Sequence, residues 1–444
     1  MDRIKTFEGR LATIALGGLL IRLLYTALNR SYPVIGDALT FHMDAAHLAD
    51  GEGFRRAYEN MATAEHPPLH IVVLAVVDVL GGHGTLAQKF VLCFIGTGTV
   101  VAIGFLARRI AGPRAGLIAA FIGAVYPLLW VIDGALMSET EYVLIITLVL
   151  ILAYRHLDAP SPRRALALGA MIALATLTRG EAIGLIVLLA LPIACRTGAT
   201  WRARLGTAAL IVGAFCAVMA PWSVRNLLTF KEPILISTNG YGVVIGANCN
   251  GSYYGDLIGS WDYHCFTNRL EGDESQYSVD YRDRGLRYAR DHAGRIPKVV
   301  AIRLLRQFDF YRPAQSVIFQ ASEGRYHTVA WWGLRVYWLL LPFGVAGAVL
   351  LWRRRQEVLI LAAPVALAVL IGILVYGSTR LRVAMEPVLV VLAAVAMDAL
   401  VARVRERGRQ SSSADAASSA PASATPTSVS AGISQSQSIE AWKA

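Results

Sequence analysis

Apolar runs long enough to cross a membrane recur along most of this chain, and they constrain its fold more than any motif does. Hydrocarbon offers N–H and C=O groups no partner, so each run must satisfy its own backbone as a helix. Crossing ~30 Å of hydrocarbon takes roughly 20 residues. Ten segments read as spans, several of them short: 11–29, 88–107, 115–132, 141–154, 164–178, 182–195, 206–222, 334–352, 357–376 and 385–402. With 55% hydrophobic and 16% charged residues in 444, a soluble globule is excluded. The expected fold class is an all-α polytopic membrane protein with about ten transmembrane helices. The first run follows Arg3, Lys5 and Arg10, exceeds a signal-peptide core and carries Arg22, so it reads as a retained anchor. Arg22 either snorkels or pairs with an internal acid.

Segment 69–80 decides the topology. Its apolar core is about a dozen residues, the length of a re-entrant or interfacial piece. Leaving it on the outer face puts the clusters at Arg108, Arg109 and Arg114, Arg155 to Arg164, Arg196 to Arg204, Arg353 to Arg355 and Arg403 to Arg409 on one side. The positive-inside rule makes that side the cytoplasm, with both termini there, in a multi-pass plasma-membrane protein. The net charge of +11 is accounted for by these clusters, so no nucleic-acid partner is expected. The organisation follows: residues 1–222 as an N-terminal membrane module with a first outer loop at 30–87, 223–333 as an extracytoplasmic loop, 334–409 as C-terminal helices, and 410–444 as a disordered cytoplasmic tail. Within the long loop, 233–238 reads as strand-like and 274–312 as helical. The tail is Ser, Ala, Pro and Thr without periodicity.

Several charged residues fall on the outer side of this scheme. Asp37, just past the first span, is either a general base toward an acceptor hydroxyl or an acid capping the next helix. In Glu65-His66-Pro67-Pro68, the prolines fix a helix entry and hence where Glu65 and His66 point. Glu65 then holds a metal or orients His66, and His66 donates to a phosphate oxygen, unless both simply face solvent. Glu139, at the mouth of the fourth span, lines a water-filled cavity or complements its helix dipole. Arg179 and Glu181 read as a structural ion pair or, alternatively, as part of a site. Arg380 and Arg382 are exceptions to the positive-inside rule, and guanidinium forks suit an anionic lipid head group. Cys249 and Cys265 read as an extracytoplasmic disulfide stapling a Gly-rich loop, with a metal site at His264 as the alternative.

Taken in order, these pieces resemble the GT-C superfamily of polyprenyl-phosphate-sugar glycosyltransferases, and within it the bacterial protein O-mannosyltransferase and lipid A aminoarabinose transferase group. The resemblance is carried by Gly36-Asp37, His66-Pro67-Pro68-Leu69, Arg108-Arg109 with Gly112-Pro113-Arg114, Ser138-Glu139 and Leu177-Thr178-Arg179. It continues through Pro221-Trp222, Ser237-Thr238-Asn239-Gly240, and Arg380-Leu381-Arg382 leading to Glu386-Pro387. It implies a GT-C-like bundle whose outer loops carry the site, with Asp37 as catalytic acid or base and Glu139 as second acid. Glu65 and His66 would lie by the donor phosphate or a divalent metal. Phe41, His70 and Leu381 depart from the family pattern. The expected activity is inverting transfer of a hexose or pentose, mannose-like or otherwise, from a polyprenyl-phosphate donor to a protein, lipid or glycan hydroxyl on the extracytoplasmic face. A flippase of a lipid-linked sugar is the alternative from another class.

Overall fold

The computed structural model describes residues 6–56, 61–266 and 272–418. Its first half runs α1 (Phe7–Leu28), α2 (Asp37–Ala49), α3 (Pro68–Val79), α4 (Thr85–Ala111), α5 (Pro113–Val125), α6 (Pro127–Gly134), α7 (Glu139–Asp158) and α8 (Pro162–Thr178). A stretch of 3-10 and π turns leads into α9 (Leu191–Thr197), followed by α10 (Trp201–Thr229). The outer segment folds as α11 (Asn239–Ala247), α12 (Asn250–Tyr253), α13 (Glu274–Asp291), α14 (Ile296–Gln307) and α15 (Pro313–Ser322). The chain returns through α16 (His327–Arg353), α17 (Leu359–Leu374), a 3-10 turn at Thr379–Met385, and α18 (Glu386–Ser418).

Among the described residues, seven helices are long and apolar enough to cross a membrane, eight if the bent pair α5 and α6 is one span. All ten expected segments are helical, but α8 and α17, at 17 and 16 residues, fall short of the hydrocarbon thickness on their own. The 46° bend between α5 and α6 has a local cause. Tyr126 precedes Pro127, and proline pushes its predecessor out of the helical region, here to ψ 112°. α1 shows how the spans face outward: Leu16, Leu20, Leu24 and Leu28 form an exposed apolar stripe, while Leu11, Ala15, Gly18 and Arg22 are buried. Close packing inside uses small residues. A methyl group on Gly169 of α8 would sit 2.0 Å from the Ile211 carbonyl oxygen of α10, and one on Gly347 of α16 1.9 Å from that of Leu392 in α18.

α3 is a 12-residue helix, as its short apolar core suggests. The strand expected over 233–238 does not form, and no strand occurs among the described residues, only an isolated bridge between Arg55 and Ala62. Its carbonyls are taken instead by α10: Trp222 Nε1 donates to Ile236 O at 2.6 Å and Ser223 Oγ to Leu235 O at 2.8 Å. Residues Met1–Asp398 form one compact unit and Ala399–Ala444 another. In the second, 410–418 are helical where a disordered tail was expected; the remainder of that expectation, 419–444, lies outside the described residues.

Ion pairs knit the basic turns together. Arg109 pairs with Asp158, Arg196 with Glu357 and Arg114 with Asp398, while Tyr154 donates to Glu357 O at 2.7 Å. At the other mouth of the bundle α2 and α7 begin and α17 ends.

Candidate active site

Asp37 opens α2, and the residue before it, Gly36, turns the chain with φ +59°, a conformation a side chain would strain. Its Oδ2 accepts a hydrogen bond from Arg380 Nη1 at 2.8 Å. The same guanidinium reaches two more carboxylates, Glu139 through Nε at 2.7 Å and Glu323 through Nη1 at 3.1 Å. Glu139, fully buried at the start of α7, is shared in turn by Arg380, Arg179 at 3.1 Å and Arg325 at 3.4 Å. Each charge is thus held by opposite charges, which is what allows so many ions in a region of low exposure. Arg380 Nη2 has no protein hydrogen bond among the described residues.

The acids are tuned apart. Burial works to raise the Asp37 carboxyl, but the field of Arg380, helped by His66 and by the hydrogen bond from Arg380, overrides it and holds the group below its ordinary value. At Glu323 burial wins over Arg380 and Arg325, so its carboxyl is raised.

His66 is buried, its ring 4.5 Å from that of Phe41, and Asn239 Nδ2 donates to its Nδ1 at 3.5 Å. Its Nε2 has no partner among the described residues. The loop that carries it is pinned from outside: Thr238 N donates to Ala64 O at 2.9 Å, Asn239 N to Glu65 O at 3.2 Å, and Glu274 accepts from Ala64 N at 2.8 Å and Thr238 Oγ1 at 2.6 Å. Behind His66, His70 is fully buried against Glu141 at 2.9 Å.

Three cavities meet at Asp37 and Asn239. One of about 510 Å³ is lined by the polar His66, Arg179 and Arg380 and by the apolar Ile371, Val375 and Leu381. A second, of about 410 Å³, includes Glu323, Tyr376 and Arg380. A third, of about 650 Å³, includes Glu65, Arg56 and Glu274.

Of the residues singled out in the sequence, Asp37, His66, Glu139 and Arg380 come together. Arg382 does not. It is fully buried between Asp309 at 2.5 Å and Glu386 at 2.8 Å, donates to Gln307 O, and lies 3.6 Å over the Tyr337 ring. Its charge is compensated by these two acids inside the protein rather than at Asp37. Glu65 does not join them either. Its carboxylate pairs with Arg56 at 3.3 Å, and it belongs to no cluster of metal-capable side chains among the described residues. One such cluster, Cys249, Asp262 and Cys265, has its two sulfurs joined in a disulfide. The gap between Asp37 and Glu139 is filled by a guanidinium, so these donors do not suit a divalent ion. Sequence reasoning does not find Glu323 or Arg325, and it leaves Arg179 between a structural ion pair and a site. The available signal was a symmetry: Arg179-Gly180-Glu181 and Glu323-Gly324-Arg325 are mirror-image pairs at helix ends, and both reach Glu139.

The bundle and this site define a multi-pass membrane protein with a buried carboxylate–guanidinium centre at one mouth. The profile of a family described as dolichyl-phosphate-mannose-protein mannosyltransferase matches residues 65–224. The fold is similar to that of the Archaeoglobus fulgidus oligosaccharyltransferase in its apo form, with a TM-score of 0.54 at 15% identity over 92% of this chain. The same enzyme in complex with Zn and sulfate gives 0.51 at 16% over 90% of this chain and 50% of that one. ArnT from Cupriavidus metallidurans bound to undecaprenyl phosphate gives 0.40 at 16% over 87% of this chain and 77% of that one. The family profile covers 160 of the 444 residues, and the likeness to the solved structures is one of fold. The chain spans about half, 52%, of the length of the apo oligosaccharyltransferase. Among curated proteins none matches it in sequence.

Proposed function

We propose that the protein is an inverting glycosyltransferase that moves a sugar from a polyprenyl-phosphate donor to an acceptor hydroxyl at the extracytoplasmic face. The observation that carries this reading is Asp37, a carboxylate held by Arg380 at the meeting point of three cavities. The matching family is described by a dolichyl-phosphate-mannose donor, which supports a lipid phosphate carrier. Sidedness is supported by the basic turns gathering at the mouth opposite the site, in keeping with the positive-inside rule and cytoplasmic termini.

In the transfer, the acceptor oxygen attacks the anomeric carbon while its proton passes to Asp37. The bond from that carbon to the phosphate oxygen breaks, and its electron pair leaves on the polyprenyl phosphate. Arg380, through its spare Nη2, and His66, through Nε2, meet the growing negative charge. The apolar wall of Ile371, Val375 and Leu381 suits the first part of a lipid tail. As phosphate engages Arg380, the guanidinium's hold on Asp37 weakens, and the carboxylate becomes a stronger base when the donor is in place. A flippase reading is less well supported, because Asp37, Glu139 and Glu323 and their three arginines meet at one mouth rather than along a path.

Purified protein in detergent, given a labelled polyprenyl-phosphate sugar, is expected to transfer label and release polyprenyl phosphate. Asp37→Asn should reduce the rate by about 10²–10⁴-fold. Transfer at the wild-type rate in that variant would refute the assignment.

A further inference from the structure

The acceptor side of the site has its own architecture. The third cavity, about 650 Å³, runs from Asp37 between α13 and the 261–266 segment. Five rings, Trp261, Tyr263, Phe266, Tyr277 and Tyr281, line it and pack on one another as a continuous ladder. Trp261 to Phe266 is 5.3 Å between centroids, Phe266 to Tyr281 5.0 Å, and Tyr263 to Phe266 5.9 Å and nearly parallel. Tyr277 and Tyr281 stand one helical turn apart on α13, a spacing that puts both on one face. The other ring-bearing segment contains Cys265, tied by a disulfide to Cys249 at the start of α12. The rings themselves are not core residues. Trp261, Phe266, Tyr277 and Tyr281 are half-buried, and Tyr263 is 72% exposed.

Aromatic surface kept at a wet, concave site marks a place where a ligand binds. The surrounding chemistry narrows the class. Glu65, Glu274 and Arg56 line the same cavity, so apolar ring faces alternate with charged hydrogen-bonding groups. A pyranose matches that pattern, since its C–H face is weakly positive and stacks on the negative face of an aromatic ring, while its rim of hydroxyls needs donors and acceptors. A lipid chain calls for unbroken apolar walls, such as those of the groove between α16, α17 and α18. Pairing with a sheet edge, one common way to hold an extended peptide, is not offered here, since the described residues contain no strand.

We infer that this cleft is the acceptor subsite and that the acceptor is a saccharide, seated on the ring ladder with one hydroxyl at Asp37. The inference deepens the transferase reading and rests on it. Its test is saturation-transfer NMR on the full chain in detergent, with α-1,2-mannobiose, maltose and lactose as saccharide probes and a Ser/Thr-rich decapeptide as the rival. At least one disaccharide should receive saturation at its ring C–H protons. That signal should fall at least five-fold in Trp261→Ala and in Tyr281→Ala and persist in Trp261→Phe, with thermal melting verifying that each variant folds. Saturation of the peptide alone, or of no probe, would overturn the assignment. Displacement of the bound disaccharide by a short-chain polyprenyl-phosphate sugar would also overturn it, because the cleft would then hold the donor's own sugar. Label transfer from the donor, measured separately, distinguishes the two readings. Transfer to the peptide without disaccharide binding sinks the saccharide acceptor alone, and absence of transfer to either class sinks the catalytic reading itself.

Discussion

Replacing Arg380 would separate the two tasks that the proposed mechanism gives it, restraining Asp37 and receiving the phosphate. The guanidinium makes three charge-assisted hydrogen bonds from two of its nitrogens, to Glu139, Asp37 and Glu323. A lysine ammonium keeps the charge but, as a compact point donor, cannot reproduce the fork. Losing one such bond is worth about 1.5–3 kcal/mol, and about 1.4 kcal/mol is a tenfold rate change. Arg380→Lys should therefore lower kcat/KM by about 10–150-fold. Arg380→Gln, which also removes the charge facing the leaving phosphate, should cost about 10²–10³-fold in kcat. The second readout is the acidic limb of the pH profile. Asp37 is active when ionised, a form present above its pKa and lost as pH falls through it. In the wild type that limb lies below the ordinary aspartate value of about 3.9, because Arg380 overrides the effect of burial. Without Arg380 burial prevails, so the limb should move to higher pH. Label transfer by the purified protein across pH 3–8 measures both effects. A limb that stays in place or moves down, or a kcat/KM within two-fold of wild type in Arg380→Gln, would refute the reasoning.

Two further expectations concern stability. Arg22 is fully buried and donates to Asp133 at 2.8 Å, while Asp133 also accepts from Thr140 at 2.8 Å. Arg22→Leu should cost about 3–5 kcal/mol by stranding the carboxylate, and Arg22→Leu with Asp133→Leu should cost much less, which a double-mutant cycle by thermal melting would detect. Glu274 holds Ala64 and Thr238 through one oxygen, and burial raises its carboxyl. Glu274→Gln keeps that acceptor and should melt no lower than wild type, whereas Glu274→Ala should lose about 1–3 kcal/mol. An acid raised on folding contributes stability at low pH that is lost as pH rises through its folded value. The melting temperature of the glutamine variant should therefore fall less than that of wild type between pH 4 and pH 8.

The sequence by itself determined the helical bundle, because a backbone in hydrocarbon has one local way to satisfy its hydrogen bonds, and run length and apolarity are local properties. It also marked Asp37 and Arg380, one by the Gly36 turn beside it and the other by a positive charge on the side poor in basic clusters. What it left undecided depends on direction. Arg380 and Arg382 look equivalent as letters, yet at about three residues per turn they leave the 3-10 segment on different sides, and one meets the cavity while the other braces the interior. The 233–238 stretch has strand composition, but side chains of α10 reach its carbonyls before any neighbouring strand could. Glu323 and Arg325 become part of the site only because α15 and α16 bring them to Glu139, 186 residues from Arg325 in the chain. Tertiary structure alone settled which charges meet, since electrostatic partnership depends on distance in space, and no local pattern encodes it.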